Sequence, residues 1–285
     1  MERKRYDNGI HDIGIDDYHG SEGISRSMLM HFMRSPYHYK SNLNQGPSEP
    51  TPALILGDLT HTMILEPHMT EEWFVVKPSC DRRTKAGKID HERFMCGVQG
   101  RTVIDQQTLT LATDMGIAVR DNALASALIK DALIEQSIYF KHKYTGLQCK
   151  VRPDVWNNTL VVDLKTTKDA SYSAFQHSAF NYGYFLQAAM INEALRSLNI
   201  EMEKFIFIAV ENKQPNGVGI YELSDPDNED SDFSGLAWGI EKFNSLMMSL
   251  AECIERESFP CYTYSRLELP FYARNITAGE IDHDE

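Results

Sequence analysis

Residues 152–167 read RPDVWNNTLVVDLKTT, which has the pattern of a β-hairpin but carries two aspartates and a lysine. Strand interiors favour β-branched and aromatic residues and are depleted in aspartate. Asp154, Asp163 and Lys165 therefore limit what this stretch can form: the hairpin must place these charged side chains either in solvent or in a functional site.

The two asparagines in the middle of the stretch predict its turn. Asparagine tolerates the positive φ that a two-residue hairpin turn requires. If Asn157 and Asn158 form that turn, Asp154 and Asp163 are diagonal neighbours on one face, roughly 7–8 Å apart at Cβ. Lys165 shares that face because side chains alternate along a strand. A three-residue turn would send Asp163 to the opposite face, so the turn must have even length.

Two carboxylates at this spacing can converge on one divalent cation, since hard cations such as Mg²⁺ take oxygen ligands. Without a positive group between them the two carboxylates repel each other. A lysine on the same face can orient or deprotonate a water, so the trio matches metal-assisted hydrolysis of a phosphodiester. The alternative is an Asp–Lys salt bridge on a solvated strand face, and the short D-x-K spacing does not decide between them.

The chain of 285 residues has 28 Lys and Arg against 41 Asp and Glu, a net charge of −13. This balance argues against a surface coated in basic patches for nucleic acid. It leaves room for nucleic acid in a local basic groove, especially where bound cations offset acidic groups.

The five cysteines are scattered, form no CxxC pair and are odd in number, which indicates reduced thiols rather than disulfides or a zinc site. No apolar run approaches the roughly 18 residues of a membrane span. The first residues lack the apolar segment of a secretory signal. We therefore expect a cytoplasmic protein that does not bind a membrane.

Periodicity and turn residues predict one α/β domain over residues 1–285, with a central mixed β-sheet flanked by helices. Residues 1–23 are expected to be an irregular arm, residues 80–94 a mobile loop and residues 276–285 a disordered acidic tail. The predicted helices lie within 24–40 (ended by the Ser35-Pro36 pair), 53–65, 105–134, 173–198 and 236–257. The predicted strands are 72–77, 137–143, 147–156, 159–165, 204–211 and 217–223.

Pro153-Asp154 followed by Asp163-Leu164-Lys165 resembles the PD-(D/E)XK nuclease motif. The surrounding segments GLQCKVRPD, VVDLKTTKDAS and YGYFLQAAM are similar to the nuclease domain of the RecE family, the exonuclease VIII of prophages. GISRSMLMHFMRSPYHYK resembles that family's opening helix, and LILGDLTHTMILEP resembles its G-x-x-x-H element. The resemblance spans residues 18–223 and implies the PD-(D/E)XK nuclease fold.

The resemblance also implies roles for six residues. Lys165 would be the catalytic lysine, acting with the acidic residues of the site. The metal ligands would be four side chains and one backbone carbonyl: His61, Glu135, Asp154, Asp163 and the carbonyl of Leu164.

A second set of residues is implied to contact DNA. Gln187 matches the glutamine of the helix after the catalytic strands, and Tyr184 lies one turn earlier on the same helix face. Ser25 and Ser27 match the positions where related exonucleases hold the 5′ end of DNA. The chain departs from the family at Ile191, where many relatives carry a tyrosine, which puts part of the DNA contacts of this helix in question.

The implied activity is that of a Mg²⁺-dependent 5′→3′ exonuclease, with Mn²⁺ as a substitute, that acts on double-stranded DNA ends in a bacterial host cell. It would leave 3′ single-stranded tails for a RecT-like annealing recombinase. Related enzymes are ring-shaped trimers or tetramers, and basic residues would line the channel: Arg26, Arg34, Arg82, Arg83 and Lys85. No iron–sulfur cluster is expected, because the C-terminal cysteine triplet of some relatives is missing. The alternatives are a restriction- or repair-type endonuclease and a catalytically silent DNA-binding or recombinase-docking module.

Overall fold

We describe a computed structural model of the chain, for residues 3–45, 49–81, 83–223 and 234–269. Its helices are α1 (Ile15–Gly20), α2 (Arg26–Arg34), α3 (Pro36–Asn44), α4 (Pro52–Leu65), α5 (Thr70–Trp73), α6 (Lys85–Cys96), α7 (Gln106–Asp121), α8 (Ala123–Ile129), α9 (Tyr172–Asn181), α10 (Tyr184–Ser197) and α11 (Gly235–Glu255). Its strands are β1 (Gly9–His11), β2 (Phe74–Val76), β3 (Thr102–Ile104), β4 (Leu133–Ile134), β5 (Ser137–Lys141), β6 (Gln148–Val151), β7 (Val155–Asn157), β8 (Leu160–Thr167), β9 (Lys204–Glu211) and β10 (Val218–Glu222).

The largest sheet has five strands in the order β10-β9-β8-β7-β4. Strands β8 and β9 are parallel, and the other neighbours are antiparallel, so the sheet is mixed. A three-stranded antiparallel sheet has the order β1-β5-β6, and β2 pairs in parallel with β3. The predicted α/β fold around a mixed sheet is confirmed.

Strand β8 is buried on both faces, as expected for a central strand covered by helices. Val162 and Leu164 belong to one buried cluster with Met115 of α7. Val161 points the other way, into the cluster that contains Leu186 of α10 and part of α11. The two charged residues of the D-x-K motif share the Val161 face, so they point towards α10.

The hairpin between β7 and β8 has a two-residue turn, which confirms its even length. The turn is formed by Asn158 and Thr159, one residue later than predicted, because Asn157 still pairs with Leu160. Asn158 takes the positive φ of 51°, and its carbonyl accepts a hydrogen bond from the Trp156 indole at 2.6 Å. Asp154 lies just before the first pair of this register, Val155 with Val162, so continuing the register by one residue sets it opposite Asp163 rather than diagonal to it.

Several predicted elements are divided in the structure. The chain from 147 to 156 forms two strands in different sheets, because it crosses between them at residues 152–154. The predicted helix over 173–198 is two helices separated by Gly183, whose φ of +69° is left-handed. Ser35 ends α2 and begins α3, where its hydroxyl accepts from the His38 N–H at 3.2 Å. Residues 105–134 form α7, α8 and then β4.

One segment expected to be irregular is ordered. Residues 80–94, predicted to be a mobile loop, contain the start of helix α6, which Thr84 caps by accepting from the Gly87 N–H at 3.0 Å. The predicted strands 204–211 and 217–223 and the C-terminal helix are present as β9, β10 and α11. The predicted disordered tail, 276–285, lies outside the described residues. None of the described helices has the length and apolar character that crossing a bilayer requires.

The irregular arm was predicted over residues 1–23, whereas its described part, residues 3–23, contains β1 and α1 and packs against the three-stranded sheet. Strand β1 pairs with β5. Lys150 of β6 is buried and donates hydrogen bonds to the carbonyls of Tyr18 at 2.6 Å and Ser21 at 2.9 Å. Its ammonium group thus ties the N-terminal residues to the sheet.

We expect Lys150→Met to lower the free energy of unfolding by about 2–3 kcal/mol, because the hydrogen bonds from a buried charged donor to the Tyr18 and Ser21 carbonyls are lost. Urea denaturation measures this change. Lys141→Met is the matched control: Lys141 is exposed, and its replacement should change the free energy by less than about 0.5 kcal/mol. Equal effects of both substitutions would show that the Lys150 contacts contribute little.

Candidate active site

Three potential metal ligands meet beside the hairpin. His61 comes from α4, Glu135 follows β4, and Asp154 precedes β7. Each offers one ligand atom, and these atoms all lie within 4.8 Å of one another. Glu135 has a positive φ of 52°, and its N–H donates to the Asp154 carbonyl at 3.1 Å, which fixes the two carboxylates near each other.

The carboxylate of Asp154 is held from two sides. Its Oδ2 accepts a hydrogen bond from the Leu164 N–H at 2.8 Å, across the hairpin. His61 Nδ1 lies 3.6 Å from the same oxygen. The backbone of the D-x-K motif therefore positions the first aspartate of the motif, and the Leu164 peptide lies beside the three potential ligands.

Arg152 was not among the predicted site residues, although it lies two positions before Asp154. Its Nε donates to Glu135 Oε2 at 2.7 Å, and its Nη1 donates to the Ile13 carbonyl at 2.9 Å and to the Ser137 hydroxyl at 2.6 Å. Burial, and then repulsion from Asp154, raise the pKa of Glu135 to about 8 despite this guanidinium. The sequence signal that could have pointed to Arg152 is its position two residues before Asp154.

We expect Arg152→Lys to weaken Mn²⁺ binding by about tenfold, because a lysine cannot hold three acceptors with the fixed fork of a guanidinium. Calorimetric titration with Mn²⁺ measures the dissociation constant. Arg120→Lys, an exposed change on α7, is the control and should leave the constant unaltered. Unchanged Mn²⁺ affinity in Arg152→Lys would show that Arg152 does not position Glu135.

Asp163 and Lys165 form a second group next to the three potential ligands. Asp163 is fully buried; Lys165 Nζ pairs with its Oδ2, and Gln187 Nε2 of α10 donates to its Oδ1 at 2.7 Å. Lys165 Nζ also lies 4.9 Å from the ring centre of Tyr184. Burial raises the pKa of Asp163. Burial alone would lower the pKa of Lys165, but the attraction of the Asp163 carboxylate outweighs it and raises that pKa.

The donor set fits a divalent cation. Carboxylate oxygens and an imidazole nitrogen are ligands that Mg²⁺ and Mn²⁺ accept in proteins. The raised pKa of Glu135 reflects two acidic groups close together in a poorly solvated place, and a cation between them would remove that repulsion. His61, Glu135 and Asp154 could hold the cation directly, whereas the Asp163 carboxylate is engaged by Lys165 and Gln187.

A family model described as "PDDEXK-like domain of unknown function (DUF3799)" matches residues 25–265. The chain belongs to this family. No curated protein matches the chain. A candidate exonuclease from Eubacterium rectale has a similar structure, with a TM-score of 0.61, 13% identity, and coverage of 94% of this chain and 99% of that one. A phage-related exonuclease from Haemophilus somnus 129PT aligns at a TM-score of 0.32 with 12% identity, over 70% of this chain and 94% of that one.

Membership of the PDDEXK-like family confirms the resemblance to PD-(D/E)XK nucleases that the P-D and D-x-K motifs carry. The structural similarity to the Eubacterium rectale protein shows the shared fold. Family and fold support a nuclease, and nucleases of this type depend on divalent metal ions. DNA is the substrate that such a nuclease suggests.

The remaining predicted residues of this PDDEXK-like protein lie around the start of α2 and on α10. Ser25 is the N-cap residue of α2, and its hydroxyl bonds to the Ser27 hydroxyl at 3.0 Å rather than to the helix backbone. Tyr184 and Gln187, which were predicted to share one helix face, both lie against the Asp163–Lys165 pair. Ile191, where many relatives carry a tyrosine, is buried in the core.

Proposed function

We propose that this protein is a Mg²⁺-dependent exonuclease that degrades double-stranded DNA from its ends in the 5′→3′ direction. The observation that carries the proposal is the arrangement of three potential metal ligands directly beside a buried Asp–Lys pair, within a PDDEXK-like chain. The 5′→3′ polarity and the 3′ single-stranded product follow from the resemblance to RecE-type enzymes. We also propose that residues 1–285 form a single nuclease domain.

In this proposal each side chain has a defined task. His61, Glu135 and Asp154 hold Mg²⁺ or Mn²⁺, together with the Leu164 carbonyl, and Asp163 completes the acidic site. When bound, the cation supplies Lewis-acid polarisation of the scissile phosphate.

Lys165 orients the attacking water and places positive charge where negative charge develops. The Gln187 amide holds Asp163 in place, as its 2.7 Å hydrogen bond supports.

The DNA contacts would come from α2 and α10. Ser25 and Ser27, at the start of α2, would receive the 5′ phosphate, since helix N-termini favour anions. Tyr184 and Gln187 would face the cleaved strand.

A ring-shaped trimer or tetramer would present basic residues such as Arg26 and Arg34 to the duplex, while the outside stays acidic. Arg83 pairs with Asp81, and Arg82 lies outside the described residues. Sedimentation at working concentration tests the ring, and a monomer would contradict it.

The deciding experiment is digestion of linear duplex DNA with 5′ phosphates, carrying a label at one 5′ end or one 3′ end. With Mg²⁺ we expect release of nucleotides from the 5′ ends and survival of the 3′-labelled strands as single strands. Digestion without divalent metal should show no release. Loss of the 3′ label first would contradict the polarity. The single-stranded product would suit a RecT-like annealing protein in the cytoplasm of a bacterial host.

A covalently closed circular duplex separates the alternatives. An end-dependent exonuclease leaves this substrate intact, whereas a restriction- or repair-type endonuclease linearises it. A silent DNA-binding module would cleave neither substrate. The geometry of Asp154, Asp163 and Lys165 favours catalysis, because binding alone does not require an acidic pair with a lysine.

A further inference from the structure

An exposed tyrosine lies next to the candidate active site. Tyr182 is 61% exposed and occupies the corner between α9 and α10. Its ring stacks on Tyr184 with centroids 6.0 Å apart and an interplanar angle of 29°. Tyr184 in turn lies against Lys165, so a continuous path of side chains leads from the catalytic lysine to the exposed ring.

The corner that carries Tyr182 is held in place. The Arg26 guanidinium, from the start of α2, donates to the Tyr182 carbonyl. Gly183 has a φ of +69°, a conformation that residues with a side chain rarely adopt, and the Met30 side chain packs beside it. The ring is therefore presented from a fixed backbone beside a cationic group, even though the ring itself faces solvent.

The neighbouring aromatics show why Tyr182 differs from a packing residue. Phe180 and Phe185 flank the corner and both contact Trp238 of α11, with centroids 5.3 Å and 6.1 Å away. Those rings join the helices to one another. Tyr182 contacts Tyr184 and leaves most of its surface in water, where an aromatic ring contributes little to folding.

An exposed flat ring beside cationic groups suits single-stranded nucleic acid. Bases stack on aromatic side chains, and each such contact contributes about 1–3 kcal/mol with little dependence on sequence. A base that lies on the free face of Tyr182 would be separated from Lys165 by the rings of Tyr182 and Tyr184, which places its nucleotide beside the candidate active site. Tyr184 supports the opposite side of the ring.

We propose that Tyr182 is a stacking platform for a nucleobase at the end of the cleaved strand. The inference rests on the proposed nuclease function and adds a base-binding position to it. Such a platform would hold the terminal nucleotide without selecting its base, which suits an enzyme that must move along any sequence.

The test uses duplex DNA with 2-aminopurine as the 5′-terminal base, because stacking quenches the fluorescence of this base. Binding is followed in Ca²⁺ instead of Mg²⁺, so that the reading does not depend on cleavage. We expect quenching with the unchanged protein and with Tyr182→Phe, which keeps the ring, and loss of quenching with Tyr182→Ala. Affinity for single-stranded 5′ overhangs should fall by about 5–150-fold in Tyr182→Ala.

Two tyrosines of similar exposure provide the controls. Tyr144 and Tyr172 are 64% and 65% exposed and lie outside the path that joins Tyr182 to Lys165, and their alanine variants should quench as the unchanged protein does. Equal quenching by Tyr182→Ala, or no quenching by the unchanged protein, would overturn the inference. Cleavage of linear DNA in Mg²⁺ is measured in parallel: its absence would overturn the proposed function, whereas normal cleavage with unaltered quenching would overturn only the stacking role.

Discussion

Lys165→Met is expected to lower the rate of DNA cleavage by about 10³-fold, because it removes the cation that orients water and faces the developing charge. Single-turnover digestion of linear duplex DNA measures this rate directly. The substitution has a second consequence, since Lys165 neutralises a fully buried Asp163. Removing one partner of a buried ion pair costs about 3–5 kcal/mol of stability.

The double variant Asp163→Asn/Lys165→Met separates chemistry from folding. It removes both buried charges together, and the amide oxygen introduced at position 163 can still accept the Gln187 hydrogen bond that Asp163 Oδ1 accepts now. We expect its free energy of unfolding to lie closer to that of the unchanged protein than that of Lys165→Met does, while it remains inactive. Cleavage by Lys165→Met at a rate near that of the unchanged protein would show that the lysine is not catalytic.

Asp154→Asn is expected to weaken Mn²⁺ binding at least tenfold and to lower cleavage by about 10³-fold. The substitution removes one negative charge from the three potential ligands but keeps an oxygen that can accept from the Leu164 N–H. Stability should therefore change little. Calorimetric titration with Mn²⁺ and digestion of linear duplex DNA give the two readings.

Asp121→Asn is the control for the loss of an acidic residue. Asp121 is exposed at the end of α7, so its replacement should leave Mn²⁺ affinity and cleavage as they are. If Asp154→Asn binds Mn²⁺ as tightly as the unchanged protein, the ions are held elsewhere. Addition of EDTA should abolish cleavage by the unchanged protein and by the control alike.

The hairpin shows what the sequence could and could not predict. Side-chain alternation has a period of two, so the parity of the turn followed from requiring Asp154 and Asp163 on one face. The position of the turn did not follow, because two adjacent asparagines both tolerate positive φ. In the structure Asn157 pairs with Leu160, Thr159 takes the second turn position, and the Asn158 carbonyl accepts a hydrogen bond from Trp156, which is a contact of the folded hairpin.

Other site features depend on contacts between distant parts of the chain. The segment predicted as one strand over 147–156 leaves the three-stranded sheet after Val151 and enters the five-stranded sheet at Val155. Arg152 lies in the connection between the two sheets, where it bonds to Glu135 and to the Ile13 carbonyl. No local sequence pattern predicts the contacts of Arg152 with Glu135 and Ile13. The roles given to Gln187 and Tyr184 came from the family resemblance, and the structure adds the geometry: both side chains reach the Asp163–Lys165 pair from one helix face.

The hydrogen bond from Arg152 to the Ile13 carbonyl makes the first residues of the chain part of the environment of Glu135. Shortening the chain to begin at Ile24 would remove one of the three acceptors of the Arg152 guanidinium and leave it held by Glu135 and Ser137 alone. An inactive shortened form would therefore reflect the loss of this contact and would be no evidence against nuclease activity.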